Sequence, residues 1–202
     1  MMFNYNFLNA EQVKELYNRY AWSSHSYSII AIPYGIHEVQ LESVLIGESA
    51  KFNKYLRVSV TNTIDYIPDG NSREYIYPKM YFVENTPDYL PFSSNGLNRL
   101  CAIHGIDSSS LKSIYEYCDA LQYAKPVPFL ILCEHHLSLS LDEHNRPKKN
   151  KYGKFIVNRQ PYMLDFSPLN DDRLFRLIDG KPLIKDLSFK EKLIIKNSSK
   201  HE

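Results

Sequence analysis

A cluster of positive charge is the clearest chemical signal in this chain. Between positions 145 and 154 the sequence has no carboxylate and carries five cations around one tyrosine: Arg146, Lys148, Lys149, Lys151, Lys154 and Tyr152. Another cation, Arg159, follows closely. Clustered Lys and Arg side chains bind nucleic-acid phosphates and provide affinity that does not depend on base sequence. The alternative interpretation is a solvated turn that keeps the surface polar.

A second signal comes from two runs that alternate between apolar and polar residues, at positions 54–63 and 75–82. Alternation predicts a hairpin with one side in the core, formed by Leu56, Val58, Val60, Ile76, Met80 and Phe82. The opposite side then carries Tyr55, Arg57, Tyr75, Tyr77, Lys79 and Tyr81. On an exposed sheet, aromatic rings stack on bases and neighbouring cations bind phosphates. Cross-strand pairing of the tyrosines, or cover by terminal helices, is the alternative.

Residue types that ligate metals recur between positions 133 and 144, in Cys133, Glu134, His135, His136, Asp142 and His144. On a strand, however, alternation sends Cys133 and His135 to one face and the residue after each to the other face. One ion cannot easily use all four, and no spacing here matches a tetrahedral zinc site. We therefore expect no metal site.

No catalytic arrangement follows from the sequence. It has no glycine-rich phosphate loop, dinucleotide fingerprint, nucleophile elbow or His-Glu-x-x-His helix. Cys101 and His104 share one helical stripe and Cys118 lies on the next helix, but burial is the usual role of such cysteines. We expect a protein without catalytic residues or a cofactor.

Composition also limits the classes of protein to which the chain can belong. The chain has 202 residues, 44% of them apolar, which is enough for one compact core. Its 24 Lys and Arg against 23 Asp and Glu leave a formal charge of +1, so attraction to a polyanion must come from a local patch. Three cysteines match no disulfide framework, and no stretch reaches the ~18 apolar residues of a membrane span. These features predict a cytoplasmic protein without a membrane partner.

The order of predicted elements indicates the fold. A helix capped by Asn9 runs to about Tyr20, and a long strand bent at Gly35 follows, with Val39, Leu41, Ser43 and Leu45 on one side. After the hairpin come helices starting near Ser93 and Asp107. Strands are then predicted at 127–141 and 154–162, a short helix at 171–178 and a basic amphipathic helix at 189–196.

This order predicts an α+β fold: a five-stranded OB-like antiparallel barrel with a helical insertion between strands 3 and 4 and extra N- and C-terminal helices. We expect a single domain, 1–202, with an N-terminal helix in 1–24, the OB-like core in 27–165 and a helical basic tail in 166–202. OB-folds bind oligonucleotides across strands 2 and 3 and the adjoining loops. A meander packed under two helices is the alternative.

Four segments together resemble a known family in their layout: residues 54–60, 96–106, 121–132 and 154–159. Over roughly residues 27–165 the chain resembles a phage-encoded family of OB-fold single-stranded-DNA-binding proteins, most of them uncharacterised. The resemblance implies a role in replication or recombination. Two features depart from the family: Gln122-Tyr-Ala replaces a glycine step, and the chain ends Lys-Asn-Ser-Ser-Lys-His-Glu instead of in an acidic tail.

The residues and the resemblance together predict a non-catalytic single-stranded nucleic-acid-binding protein of phage replication or recombination, with single-stranded DNA as its partner. The alternative is a phage or mobile-element interaction factor that inhibits a host nuclease or defence complex. Such a factor would present the same tyrosine-rich face to a host or phage protein, because Tyr and Arg are enriched in interface hot spots. An enzyme that uses Cys or His chemistry ranks last.

Overall fold

The computed structural model describes residues 8–23, 32–50, 53–62, 77–83 and 86–198. Its strands are β1 Ala21–Trp22, β2 Gly35–Ser49, β3 Asn53–Asn62, β4 Met80–Val83, β5 Phe129–Leu139, β6 Ile156–Pro168 and β7 Ile184–Lys185. Its helices are α1 Ala10–Arg19, α2 Ser94–Ile103, α3 Ile114–Gln122, α4 Arg173–Ile178 and α5 Phe189–Ser198, with a short 3₁₀ turn at Ser108–Ser110. The α+β class predicted from the sequence is confirmed.

The strands form one open sheet in the order β1-β6-β5-β2-β3-β4. β5 lies at its centre, paired antiparallel with β6 along its whole length and with β2 over residues 129–133. Past residue 133, where the pairing with β2 ends, the short strand β7 pairs with β5 in parallel at positions 135 and 136. Residues after 165, expected to form a helical tail, therefore contribute the end of β6 and a strand of the sheet. None of the described helices is long and apolar enough to cross a membrane.

Helices cover both faces of the sheet. The main core lies under α2 and α3 and includes Leu56, Val58, Met80, Phe82, Leu100, Cys118, Phe129 and Phe166. A second cluster joins α1 and α5 to the far end of β5 and β6, through Val13, Leu16, Leu137, Leu139 and Val157. On the opposite face of β5, Leu130 and Leu132 pack against Leu174 of α4. β5 is therefore buried on both faces, although alternation predicts an inward side only at its odd positions.

Side-chain caps set the helix starts. The side chain of Asn9 accepts a hydrogen bond from the Gln12 N–H and starts α1 as predicted, and Ser93 starts α2 in the same way. The prediction that a helix begins at Asp107 is wrong. Asp107 caps the 3₁₀ turn, and α3 begins only after Ser113, whose capping box with Glu116 supplies the stronger signal.

A β-bulge changes which residues of β2 point inward. β2 begins at Gly35, where a φ of 129° favours glycine, as the predicted bend requires. The register then shifts between Leu41 and Ser43, so that Val44 is buried and Leu45 is exposed. The prediction that Ser43 and Leu45 continue the inward side is therefore wrong, because one extra residue reverses the alternation.

The OB-like five-stranded barrel is not confirmed, because the sheet is open within the described residues. At the open edge of β6, the Phe166 carbonyl accepts hydrogen bonds from Arg99 Nη2 at 2.8 Å and from Arg173 Nη2 at 2.5 Å. Both arginines also pair with the buried carboxylate of Asp165. The Phe82 and Phe166 ring centroids lie 6.3 Å apart. β4 and β6 thus contact each other through side chains. The two guanidinium groups donate hydrogen bonds to a backbone carbonyl of β6 that a neighbouring strand would otherwise bind.

Candidate nucleic-acid interface

The predicted cationic loop is a pair of hydrogen-bonded turns between β5 and β6, which we call the cationic lobe (residues 141–155). In the first turn, Asp142 Oδ1 accepts from the N–H groups of His144 and Arg146, both at 2.8 Å. In the second, Asn150 Oδ1 accepts from the N–H groups of Tyr152 and Lys154, both at 3.0 Å. The cations are therefore attached to a fixed backbone.

The two turns have the same geometry, eight residues apart in the sequence. In each, the residue three positions after the Asp or Asn has a positive φ, 58° at Asn145 and 78° at Gly153. Its N–H donates back to the carbonyl of that Asp or Asn, at 3.1 and 3.0 Å. Asn and Gly tolerate this left-handed conformation better than other residues. The repeat of Asx, two residues and then Asn or Gly is the sequence signal from which an ordered lobe could have been predicted.

Four of the five lobe cations are exposed: Arg146, Lys148, Lys151 and Lys154. The fifth, Lys149, is half-buried, with its Nζ 4.8 Å from the centre of the Phe155 ring. Tyr152 is 75% exposed, and Lys151 Nζ lies 5.0 Å from its ring centre. The lobe thus presents cations around an accessible aromatic ring, as its residue types predict.

Arg159 lies in β6 and not on the lobe. It is half-buried in register with Leu137, on the face of the sheet that also holds His135. Its contribution to a phosphate-binding surface therefore stays a prediction that the lobe geometry does not support.

Tyr55, Arg57 and Tyr81 lie together on the outward face of β2, β3 and β4, which we call the tyrosine face. The rings of Tyr55 and Tyr81 meet edge to face with their centroids 5.6 Å apart. Tyr55 also lies across Gly47, because a Cβ at Gly47 would come within 2.4 Å of the ring. Glycine is therefore needed for this ring position. Lys79 is exposed just before β4.

The remaining tyrosines of this prediction behave differently. Tyr75 lies outside the described residues. Tyr77 is half-buried and packs against the main core, so the prediction that it points outward is wrong. The reason is that β4 begins only at Met80, and strict alternation cannot be extended to residues before the strand.

The sheet separates the tyrosine face from the cationic lobe. Val39 of β2 lies opposite Phe129 of β5, and these strands run antiparallel. Gly47 lies eight residues beyond that pair in one direction, and Ser140 eleven residues beyond it in the other. At about 3.3 Å per residue, this is at most roughly 60 Å along the strands. The two surfaces thus lie toward opposite ends of the sheet.

The Cys133–His136 segment is split between the faces of β5, as alternation predicts. His136 Nε2 donates to the Glu134 carboxylate, and the His136 ring stacks on Tyr162 at 4.0 Å. On the other face, burial raises the pKa of the Cys133 thiol to about 12. Such a thiol is a poor nucleophile, because the reactive form is the thiolate. Within the described residues, no three His, Cys, Asp or Glu side chains are grouped closely enough to hold a metal ion.

A comparison of the chain with models of known protein families finds no match, and a comparison with curated proteins finds none either.

Proposed function

We propose that this protein is a non-catalytic single-stranded nucleic-acid-binding protein that holds phosphates on its cationic lobe. The lobe itself carries the proposal: five cations occupy two hydrogen-bonded turns in a chain whose formal charge is only +1. The excess charge is local, and the backbone that carries it is ordered before a ligand arrives. Binding would then release condensed counterions without a large cost of ordering the loop.

The exposed rings favour single strands over duplexes. Tyr152 stands among the lobe cations, and Tyr81 is 46% exposed on the tyrosine face. Unpaired bases can stack on such rings, and each stack contributes ~1–3 kcal/mol whatever the base. In a duplex the bases already stack on one another. We therefore assign single-stranded DNA as the ligand, with the lobe as the main contact and the tyrosine face as a separate one.

We also propose that the fold is an opened version of the OB-like five-stranded barrel. The order β6-β5-β2-β3-β4 is the order of such a barrel, cut at the pair that would close it. Contact between the Phe82 and Phe166 rings across the cut supports this relation. The layout resemblance to phage single-stranded-DNA-binding proteins supports a role in replication or recombination.

A salt series tests the lobe directly. The variant Lys148→Ala/Lys151→Ala/Lys154→Ala removes three exposed cations and keeps Lys149, which covers the Phe155 ring. Fluorescence anisotropy with labelled oligo-dT should show that the slope of log K against log salt becomes shallower by about 2, since each phosphate contact on a single strand contributes ~0.7. If affinities converge at 1 M salt, binding at 0.1 M weakens about 100-fold.

The matched control removes the same charge elsewhere. Lys112, Lys125 and Lys181 are also exposed and lie outside the lobe. Their triple Ala variant should keep the wild-type slope, because its change in net charge is identical but the lobe is intact. Equal slopes for both variants would contradict a phosphate contact at the lobe.

The tyrosine face favours one alternative, a protein-interaction factor that inhibits a host nuclease or defence complex. Leu45 and Tyr81 are both nearly half exposed there, and Arg57 lies between them in the register of the strands. Aromatic and apolar side chains of this kind form the centres of protein interfaces. This alternative predicts negligible oligo-dT affinity of the wild-type protein at every salt concentration.

A further inference from the structure

The C-terminal helix α5 is fixed beside the base of the cationic lobe. The backbone N–H of Leu139, the last residue of β5, donates to Glu191 Oε1 at 2.8 Å. The other oxygen of Glu191 accepts from the N–H of Ser188 at 2.9 Å, immediately before α5 begins. One carboxylate thus ties the first turn of α5 to the point where the chain leaves β5 for the lobe.

Apolar packing joins the same two regions. Phe155 at the end of the lobe and Ile194 and Ile195 of α5 pack on one cluster that contains Leu139 and Leu187. Lys149 lies over the Phe155 ring, so the lobe and α5 are adjacent through this cluster.

The first residue of α5 is largely exposed. Phe189 is 82% exposed, and Leu193, one turn later, is also exposed, while Ile194 and Ile195 face the cluster. Burial of a Phe side chain stabilises a fold by about 1.5–3 kcal/mol, and this ring contributes almost none of that. The ring beside the charged lobe is therefore free to stack on a ligand that the lobe holds.

The charges around Phe189 select the kind of ligand. Lys190 and Lys196 are exposed on the same helix. The nearby carboxylates are engaged within the protein: Glu191 by backbone N–H groups and Ser188, and Asp186 by Lys192 at 2.9 Å. A polyanion with planar groups complements an aromatic ring beside such cations better than an apolar peptide does.

We infer that Phe189 and Lys190 extend the cationic lobe into one binding surface for single-stranded nucleic acid, with Phe189 stacking on a base next to those that the lobe holds. This inference rests on the proposed function and adds to it a contact outside both predicted surfaces. The ligand would leave the lobe along α5 and not along the sheet toward the tyrosine face.

The test combines affinity with a direct report of stacking. Phe189→Ala should weaken oligo-dT binding about 5- to 100-fold, as expected for one lost stack, without a change in the melting temperature. Phe189→Trp should bind at least as tightly as wild type, and oligo-dT should quench its added fluorescence beyond any change seen for Trp22 in the wild-type protein. Phe175→Ala is the matched control, because Phe175 is also an exposed ring, on α4 across the sheet.

The outcomes separate the two proposals. If Phe189→Ala binds like wild type and the new Trp is not quenched, while the lobe variant still loses affinity, the inference is overturned and the proposed function stands. If the wild-type protein does not bind oligo-dT in a salt-dependent way, both are overturned. Equal losses for Phe189→Ala and Phe175→Ala would also overturn the inference, because the effect would not be local to the lobe.

Discussion

The burial of His135 makes the stability of this fold depend on pH. The side chain is fully buried in β5, and its Nε2 donates to the Ile32 carbonyl at 2.8 Å. In the described part of the chain, no hydrogen-bond partner reaches Nδ1. The pKa of His135 is lowered to about 4, mainly by burial; the hydrogen bond to Ile32 opposes this shift, and the charges of Arg159, His37 and His136 add smaller contributions to it. The ring is therefore neutral in the folded protein near pH 7.

The sign and size of the effect follow from the two pKa values. In the unfolded chain a histidine has a pKa of about 6.5, so below that pH the unfolded state binds a proton that folded His135 refuses. Stability is complete above about pH 6.5 and falls as the pH drops towards 4. With a folded pKa of about 4, the unfolded and folded pKa values differ by roughly 2.5 units. This difference corresponds to a loss of about 3 kcal/mol in the free energy of unfolding at low pH.

Urea unfolding at pH 7.5, 6.5, 5.5 and 4.5 measures this loss (about 1.4 kcal/mol per unit at its steepest). The comparison is with His135→Gln, which keeps an N–H donor for the Ile32 carbonyl and does not titrate. Between pH 6.5 and 4.5 the wild type should lose more unfolding free energy than the variant, by about 2–3 kcal/mol. Burial also lowers the pKa values of His37 and His104, and these contribute equally to both proteins. Parallel curves would refute a buried neutral His135.

Two further predictions concern the sheet edges and the tyrosine face. Asp165→Asn should cost about 2–4 kcal/mol in urea unfolding, because it leaves Arg99 and Arg173 together without their shared carboxylate. The exposed pair of Asp172 and Arg176 is the control, and Asp172→Asn should cost less than about 1 kcal/mol. Gly47→Ala should displace the Tyr55 ring and weaken oligo-dT binding several-fold at nearly unchanged melting temperature. In a Tyr55→Ala background it should have no further effect on affinity, and an additive loss would contradict contact through that ring.

Local chemistry made much of this fold predictable. The Asn9 cap, the helix start at Ser93 and the inward positions of β3 depend on residues close in sequence, and the structure has each of them. The bulge in β2 has no comparable local signal. Its single extra residue moves each later side chain of β2 to the opposite face of the sheet. A correct strand prediction therefore still assigned Leu45 to the wrong side.

Contacts between distant segments could not be predicted in the same way. Leu130 and Leu132 are buried by α4, which lies more than 40 residues later in the chain. The edge of β6 is held by Arg99, which is 66 residues from Asp165, so the missing barrel closure was not visible in either segment alone. Alternation identifies one buried face of a strand, but it cannot say whether a later helix covers the second face.

The same distinction between local and distant contacts applies to the candidate site. The lobe cations were predicted because they are close together in sequence, and four of the five are exposed. Phe189 was assigned only to a basic amphipathic helix, because its place beside the lobe depends on a hydrogen bond between residues 52 positions apart. The sequence therefore identifies the cations of the proposed surface, whereas the place of Phe189 beside them can be recognised only from the fold.

Separation of the lobe from the tyrosine face also determines how binding should respond to salt. Contacts to phosphate weaken as salt rises because counterions are released on binding, whereas stacking on a ring carries no such dependence. Loss of lobe cations should therefore change the slope of log K against log salt, and displacement of Tyr55 through Gly47 should shift the line without changing its slope. At high salt the remaining affinity comes mainly from the rings. The ligand is inferred to leave the lobe along α5, so an oligonucleotide held by the lobe does not follow the sheet to the tyrosine face. The effects of the lobe variant and of Gly47→Ala should therefore stay independent of each other as the oligonucleotide is lengthened.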